Sequence, residues 1–66
     1  MDWYQKLKFA RKVKGLSLDE VASKGVISKS YLCEIERGKI ANPSIGKIAN
    51  LLRLYNLTFD DLFGEI

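Results

Sequence analysis

Helical periodicity in this 66-residue chain comes in five short stretches, each bounded by a glycine, a proline or a residue that commonly caps a helix. Gly15, Gly25 and Gly38 follow the first three stretches, at positions where a left-handed residue often ends a helix. No segment has the alternating pattern of a strand. The sequence therefore predicts an all-α fold with five helices in one domain over residues 1–66, because a chain of this length buries only one small core.

The N-terminal half contains the signals of three helices. An apolar stripe flanked by lysines predicts the first helix over residues 2–14. Ser17 followed three residues later by Glu20 is a capping box that opens the second helix, and Ser28 opens the third. Two short helices across a three-residue break predict a helix-turn-helix at about residues 17–37.

Two further helices are predicted in the C-terminal half. Asn42 and Pro43 have the residue types of an N-cap and a first helical position, which predicts a fourth helix over about residues 43–56. Thr58 is the expected N-cap of a short fifth helix over about residues 58–64, with acids in its first turn where the helix dipole favours them.

Composition excludes several classes of function. The chain has no His and one Cys, so it cannot form a Ser-His-Asp triad, an internal disulfide or an ordinary zinc site. We therefore expect neither an enzyme nor a cofactor or metal. No apolar run approaches the length of a membrane span and the first residues do not resemble a signal peptide, so we expect a cytoplasmic protein.

Charge is distributed unevenly along the chain. All eleven Lys and Arg residues lie within residues 1–53, which also hold five acids, so this part carries +6. Residues 54–66 hold three acids and no base and carry −3. A basic body of this kind predicts a polyanionic partner.

The predicted third helix separates into two faces when its residues are placed 100° apart. Leu32 and Ile35 fall on an apolar face. The opposite face holds Lys29, Ser30, Cys33, Glu34 and Arg37. These side chains supply the donors and acceptors that bind base edges and phosphates in a major groove, although an ordinary solvated helix face has the same pattern.

A specific combination of motifs extends over most of the chain. The residues are Leu7, Arg11, Lys14-Gly15-Leu16-Ser17, Glu20-Val21-Ala22, Ser28-Lys29-Ser30-Tyr31-Leu32, Ile35-Glu36-Arg37-Gly38-Lys39, Asn42-Pro43-Ser44-Ile45 and Leu57-Thr58-Phe59-Asp60-Asp61-Leu62-Phe63. Over residues 7–63 the chain resembles the Cro/repressor-type helix-turn-helix family of phage and bacterial transcription regulators, also called the XRE or lambda-repressor-like family.

The resemblance implies a sequence-specific regulator of transcription, a repressor that binds a palindromic operator in double-stranded DNA as a homodimer. It implies base contacts from Lys29, Ser30, Cys33 and Glu34. It implies phosphate contacts from Ser17, Arg37, Lys39, Asn42 and Ser44. It also implies a partly buried salt bridge between Arg11 and Glu36. The short chain leaves no room for an effector domain, so we expect no small-molecule effector.

The chain departs from the family pattern at two positions. The family usually has Gln where this chain has Leu18, and an apolar side chain cannot make the phosphate contact of that Gln. The family usually has Gly at the first turn position, where this chain has Val26. Since a β-branched residue disfavours positive φ, we predict that the second helix ends one residue early and that Gly25 is left-handed.

Aromatic and apolar residues near the C-terminus exceed what one small core needs. We assign Leu7, Leu57, Phe59 and Leu62 to the core. We assign Tyr55, Phe63 and Ile66 to a homodimer interface. The acidic, aromatic tail also leaves a second function open, an antitoxin-like or antirepressor-like module that binds protein through the same fold. Cys33 is interpreted either as a small side chain or as a redox sensor. The neighbouring carboxylate of Glu34 argues against a sensor, because a negative charge disfavours a reactive thiol.

Overall fold

Five α-helices make up the computed structural model, which describes residues 1–64. The helices are α1 (Trp3–Val13), α2 (Leu18–Ser23), α3 (Lys29–Glu36), α4 (Ile45–Tyr55) and α5 (Phe59–Phe63). No strand occurs in the described residues, which confirms the predicted all-α class. None of the five helices is both long and apolar enough to pass through a membrane.

The predicted capping residues open three of the helices. The Ser17 hydroxyl accepts the Glu20 N–H at 3.0 Å, and a Glu20 carboxylate oxygen accepts the Ser17 N–H at 2.8 Å. The Ser28 hydroxyl accepts the backbone N–H at the third position of α3, and Thr58 and Asp61 exchange two bonds at the start of α5. These side chains satisfy backbone donors that the first turn of a helix leaves unpaired.

The start of α4 was predicted incorrectly. Asn42 and Pro43 lie in the connection before the helix, and the N-cap is Ser44, whose hydroxyl accepts the Lys47 N–H at 3.5 Å. Ser44 has an extended conformation, and its N–H donates to the Tyr31 hydroxyl on α3 at 3.0 Å. The helix therefore begins two residues later than the local signals indicate.

The turn between α2 and α3 has the predicted backbone conformation. Gly25 adopts φ +79°, whereas Val26 is not left-handed. Asn56, at the end of α4, is the one non-glycine residue with positive φ in residues 1–64. Placing the left-handed residue at Gly25 lets the β-branched Val26 keep an ordinary conformation.

The core lies where α1, α3, α4 and α5 meet beside α2. It consists of Leu7, Val21, Ile27, Leu32, Ile35, Ile48, Leu51, Leu52, Tyr55 and Leu62. Leu57 is half-buried against this cluster, but Phe59 is 41% exposed, so assigning Phe59 to the core was wrong. Phe59 is the first residue of α5, and its ring lies on the outer side of that helix beside Phe63.

Tyr55 belongs to the core, and its assignment to a dimer interface was wrong. The side chain is only 2% exposed because it continues the buried stripe that Ile48, Leu51 and Leu52 form along α4. Its hydroxyl is buried and has no hydrogen-bond partner among the described residues. Burial, with a smaller contribution from the carboxylate of Glu36, raises the pKa of Tyr55 to about 12.

Candidate nucleic-acid interface

The outer side of α3 forms one continuous polar surface. Lys29, Ser30, Cys33, Glu34 and Arg37 line a single open depression. The structure thus brings together all four residues predicted to contact bases, and Arg37 lies beside them. Leu32 and Ile35 are fully buried on the opposite side of the helix, so packing against the core fixes which side chains face outward.

Four of the five residues in this depression are exposed, and Cys33 is half-buried. The depression combines three kinds of chemistry: cations at Lys29 and Arg37, a carboxylate at Glu34 and a hydroxyl at Ser30. Carboxylates accept hydrogen bonds from the amino group of cytosine, whereas lysine and arginine donate to guanine. Such a mixture can contact more kinds of base edge than cations alone.

An ion pair connects the two helices of the motif. The Lys29 Nζ lies 3.0 Å from an Asp19 carboxylate oxygen, and 56% of the lysine side chain and 78% of the aspartate side chain are exposed. Asp19 is in the first turn of α2. Sequence analysis did not single out Asp19, because the contact depends on how α2 and α3 pack against each other.

The residues predicted to contact phosphates lie on several elements. Of these five, only Arg37 lines the depression within residues 1–64. Ser17 is engaged in the capping box of α2, and Lys39 and Asn42 are exposed in the connection between α3 and α4. Ser44 caps α4. Arg37 is thus the member of this group that lies in the depression, whereas Lys39, Asn42 and Ser44 lie along the connection from α3 to α4.

Tyr31 is a second residue that sequence reasoning did not include. Its hydroxyl accepts the Ser44 N–H, which ties α3 to the start of α4. The same hydroxyl retains its own proton to donate. The family motif contains Tyr31, but its spacing predicts no role for the hydroxyl, and only the fold shows the contact thirteen residues away.

Arg11 and Glu36 meet beneath the end of α3. The Arg11 Nε donates to Glu36 Oε2 at 2.8 Å, and Nη2 donates to Oε1 at 3.0 Å. A third bond runs from Nη1 to the Leu16 carbonyl at 2.8 Å. The side chains are 9% and 6% exposed, and the bond with Glu36 raises the pKa of Arg11. This pair fastens α1 to the last turn of α3.

Gly38 ends α3 directly beneath the ring of Tyr4. Gly38 has φ +76°, and a Cβ atom there would lie 2.6 Å from the Tyr4 Cζ. The Tyr4 hydroxyl donates to Asp2 at 2.8 Å, which holds the ring in place. The backbone conformation favours glycine here, and a Cβ atom would in addition displace the ring of Tyr4.

Aromatic side chains form a small exposed cluster where α1 meets α5. Phe63 is 41% exposed, its ring stacks on Phe59 at 6.2 Å between centroids, and it lies 5.7 Å from the ring of Trp3. Phe63, which was assigned to a dimer interface, is therefore exposed. Ile66 lies outside the described residues.

Comparisons with known proteins agree with this geometry. A family described as a helix-turn-helix domain matches residues 4–64, nearly the whole chain. The chain belongs to the Cro/repressor-type helix-turn-helix family. Within this helix-turn-helix protein, α2 and α3 are the two helices of the motif, and the polar depression lies on the second of them.

Several curated relatives of this helix-turn-helix protein are transcriptional regulators by name. The HTH-type transcriptional regulators SinR of Bacillus licheniformis and of Bacillus subtilis (strain 168) are each 39% identical over 61 residues, which is 92% of this chain and 55% of theirs. The regulator DdrOP3 of Deinococcus deserti is 36% identical over 62 residues, 94% of this chain and 47% of its own. The chain thus spans about half the length of these relatives. No solved structure matches it.

Proposed function

We propose that this protein binds double-stranded DNA at specific sequences and thereby regulates transcription, as a repressor that occupies a palindromic operator as a homodimer. One observation carries the proposal: the exposed face of α3 presents a cation, a hydroxyl and a carboxylate side by side in one open depression. An α-helix fits the major groove, where each base pair displays a distinct pattern of donors and acceptors.

Charge supports DNA as the partner. Residues 1–53 carry +6 and include every residue of the helix-turn-helix. Cations on this part of the chain displace counterions from phosphates, and that release makes a large contribution to affinity. In the proposed complex Arg37, Lys39 and Asn42 contact phosphates, and the starts of α2 and α4, at Ser17 and Ser44, face the backbone.

In the proposed complex, α3 supplies the discrimination between sequences. Lys29 and Ser30 lie in its first turn, Cys33 and Glu34 one turn later, so these four residues reach successive positions along the groove. Lys29 donates to a purine, Glu34 accepts from a base amino group, and Ser30 and Cys33 fill the space between them. No cofactor or small-molecule effector takes part in this scheme.

The proposed homodimer places two copies of α3 on one side of the duplex. The exposed aromatic cluster around Phe63 supplies apolar surface for the contact between copies. Two half-sites about 34 Å apart, one turn of the duplex, would match such a dimer. The same cluster, beside the acids of α5, favours a second candidate function, an interaction module that binds another protein through α5.

Selection of bound duplexes from a random pool tests the proposal. We expect enrichment of two inverted half-sites whose centres are about ten base pairs apart. Binding to the enriched duplex should weaken steeply as salt rises, because several phosphates are neutralised. A pool without enrichment, or an affinity that does not respond to salt, contradicts the DNA-binding proposal and favours the protein-binding module.

A further inference from the structure

We propose that Asp19 is a specificity-determining residue of the DNA-binding surface and that it acts by positioning Lys29. This inference rests on the proposed function. The observation is the contact between the two side chains, 3.0 Å from the Lys29 Nζ to an Asp19 oxygen, at the point where α2 meets the first turn of α3.

Asp19 is not needed to cap α2. The capping box is complete without it, because Ser17 and Glu20 satisfy each other's backbone N–H groups. Asp19 is the exposed residue between them, and its carboxylate is directed across to α3. Its measurable contribution to folding should be small, since exposed ion pairs add little stability.

The ion pair restricts a side chain that otherwise moves freely. A lysine has four rotatable bonds and a compact charge, so an unrestrained Lys29 would pair with whichever phosphate lies nearest. Held by Asp19, the ammonium keeps two of its three N–H donors for other acceptors. Those two are available to the base edges that face the first turn of α3.

The carboxylate also acts against binding to arbitrary DNA. Placed beside Lys29, it offsets one positive charge on a surface that must approach phosphates. Every site on DNA presents the same phosphates, so this opposing charge weakens non-specific binding. At the correct sequence the base contact of the positioned lysine offsets this loss of affinity. Asp19 therefore raises the ratio of specific to non-specific affinity.

Replacing Asp19 with asparagine tests this proposal while the shape of the side chain is preserved. With the selected duplex and a scrambled duplex at several salt concentrations, we expect Asp19→Asn to strengthen non-specific binding. The ratio of specific to non-specific affinity should fall on the order of three- to tenfold, a fraction of what one base contact contributes. The non-specific salt slope should steepen by about one phosphate contact.

Two control variants separate positioning from bulk charge. Asp60→Asn changes the net charge equally, but its carboxylate on α5 forms no ion pair within residues 1–64, so the affinity ratio should stay at the wild-type value. Asp19→Glu keeps a carboxylate and should retain most of the ratio.

A double-variant cycle provides the decisive comparison. In a Lys29→Met background, Asp19→Asn should leave the ratio of specific to non-specific affinity unchanged, because the residue through which Asp19 acts is gone. Loss of the carboxylate should then strengthen binding to both duplexes about equally, since every duplex presents the same phosphates. The proposal is overturned if Asp19→Asn lowers the affinity ratio equally with and without Lys29, or leaves the ratio unchanged in the wild-type protein. If the wild-type protein prefers no duplex, the proposed function is overturned as well. That failure is seen in the wild-type protein alone, which distinguishes it from a failure of the Asp19 proposal.

Discussion

The guanidinium of Arg11 and the carboxylate of Glu36 face each other in a two-bond contact, with N–O distances of 2.8 and 3.0 Å, beneath the last turn of α3. The planar fork of an arginine matches a carboxylate in this way, and lysine could not reproduce it. Both side chains are almost fully buried, so the hydrogen bonds between them replace bonds that water would otherwise make.

Removing one partner of this pair should be costly. Glu36→Ala leaves the Arg11 guanidinium buried and unbalanced, and we expect the free energy of unfolding to fall by about 3–5 kcal/mol. Urea titration followed by circular dichroism measures the loss. Lys29→Met, which breaks the exposed pair with Asp19, is the matched control and should change stability by less than about 1 kcal/mol. Equal losses in the two variants would contradict the role assigned to burial.

Gly38 should be less tolerant of alanine than Gly15. Both have positive φ, at +76° and +72°, so each substitution pays a conformational cost of about 1–2 kcal/mol. A Cβ atom at Gly15 meets nothing within 4 Å, whereas one at Gly38 meets the ring of Tyr4. We expect Gly38→Ala to lower the thermal midpoint further than Gly15→Ala. In a Tyr4→Ala background that difference should disappear, and its persistence would show that the ring is not the cause.

Removing the hydroxyl of Tyr55 should not destabilise the fold at neutral pH. It is buried without a hydrogen-bond partner in the described part of the chain, so Tyr55→Phe removes an unsatisfied polar group at nearly constant shape. We expect the free energy of unfolding at pH 7 to stay the same or to rise by up to about 1 kcal/mol. A clear loss of stability would show that the hydroxyl has a partner in solution.

The same tyrosine predicts how the fold responds to alkali. Its pKa is raised to about 12 in the folded protein, above the ordinary value near 10 in the unfolded chain. The folded state therefore favours the neutral phenol, and this contribution is complete below pH 10 and lost as pH rises to 12. The loss amounts to roughly 2–3 kcal/mol. The free energy of unfolding should differ less between pH 9 and pH 12 in Tyr55→Phe than in the wild-type protein.

Tyr31 should support the start of α4. Tyr31→Phe removes the acceptor for the Ser44 N–H, and we expect the free energy of unfolding to fall by about 1 kcal/mol. Tyr4→Phe serves as the control, because its hydroxyl bond with Asp2 is exposed and should contribute less. Hydrogen exchange at the Ser44 amide gives a local measurement, which should accelerate in Tyr31→Phe and remain unchanged in Tyr4→Phe.

Two substitutions distinguish base contacts from phosphate contacts under the proposed function. Glu34→Ala should change which sequences are selected, with a loss of about 1–3 kcal/mol of discrimination at one position. Lys39→Ala should weaken binding to all duplexes about equally and reduce the salt slope by about one. An unchanged sequence preference in Glu34→Ala, measured at fixed salt, would contradict the assignment of Glu34 to a base.

Local signals were sufficient for most helix boundaries. The capping box of Ser17 and Glu20 involves residues three apart, and the conformation of Gly25 follows from the steric limits of its β-branched neighbour. The segregation of Leu32 and Ile35 from the polar face of α3 follows from helical geometry alone. In each case the determining interaction lies within one turn of chain, so the sequence displays it directly.

The errors have a common physical origin in contacts between helices. The N-cap of α4, Ser44, is tied to α3 by the bond from its N–H to the Tyr31 hydroxyl. Helical periodicity places Tyr55 on an apolar stripe, but it does not reveal whether that stripe faces the core or a second copy. The ion pair of Asp19 with Lys29 depends on the angle between α2 and α3. None of these relations can be derived from spacing along the chain.

The division of α3 into buried and exposed sides has an evolutionary consequence. The five side chains that line the depression occur within residues 29–37, and the core contacts of the same helix are made by Leu32 and Ile35. A handful of codon changes in one short segment can therefore alter the exposed surface while the hydrophobic core around it stays intact. Such a scaffold can acquire new targets by point mutation, one side chain at a time, without passing through unfolded intermediates.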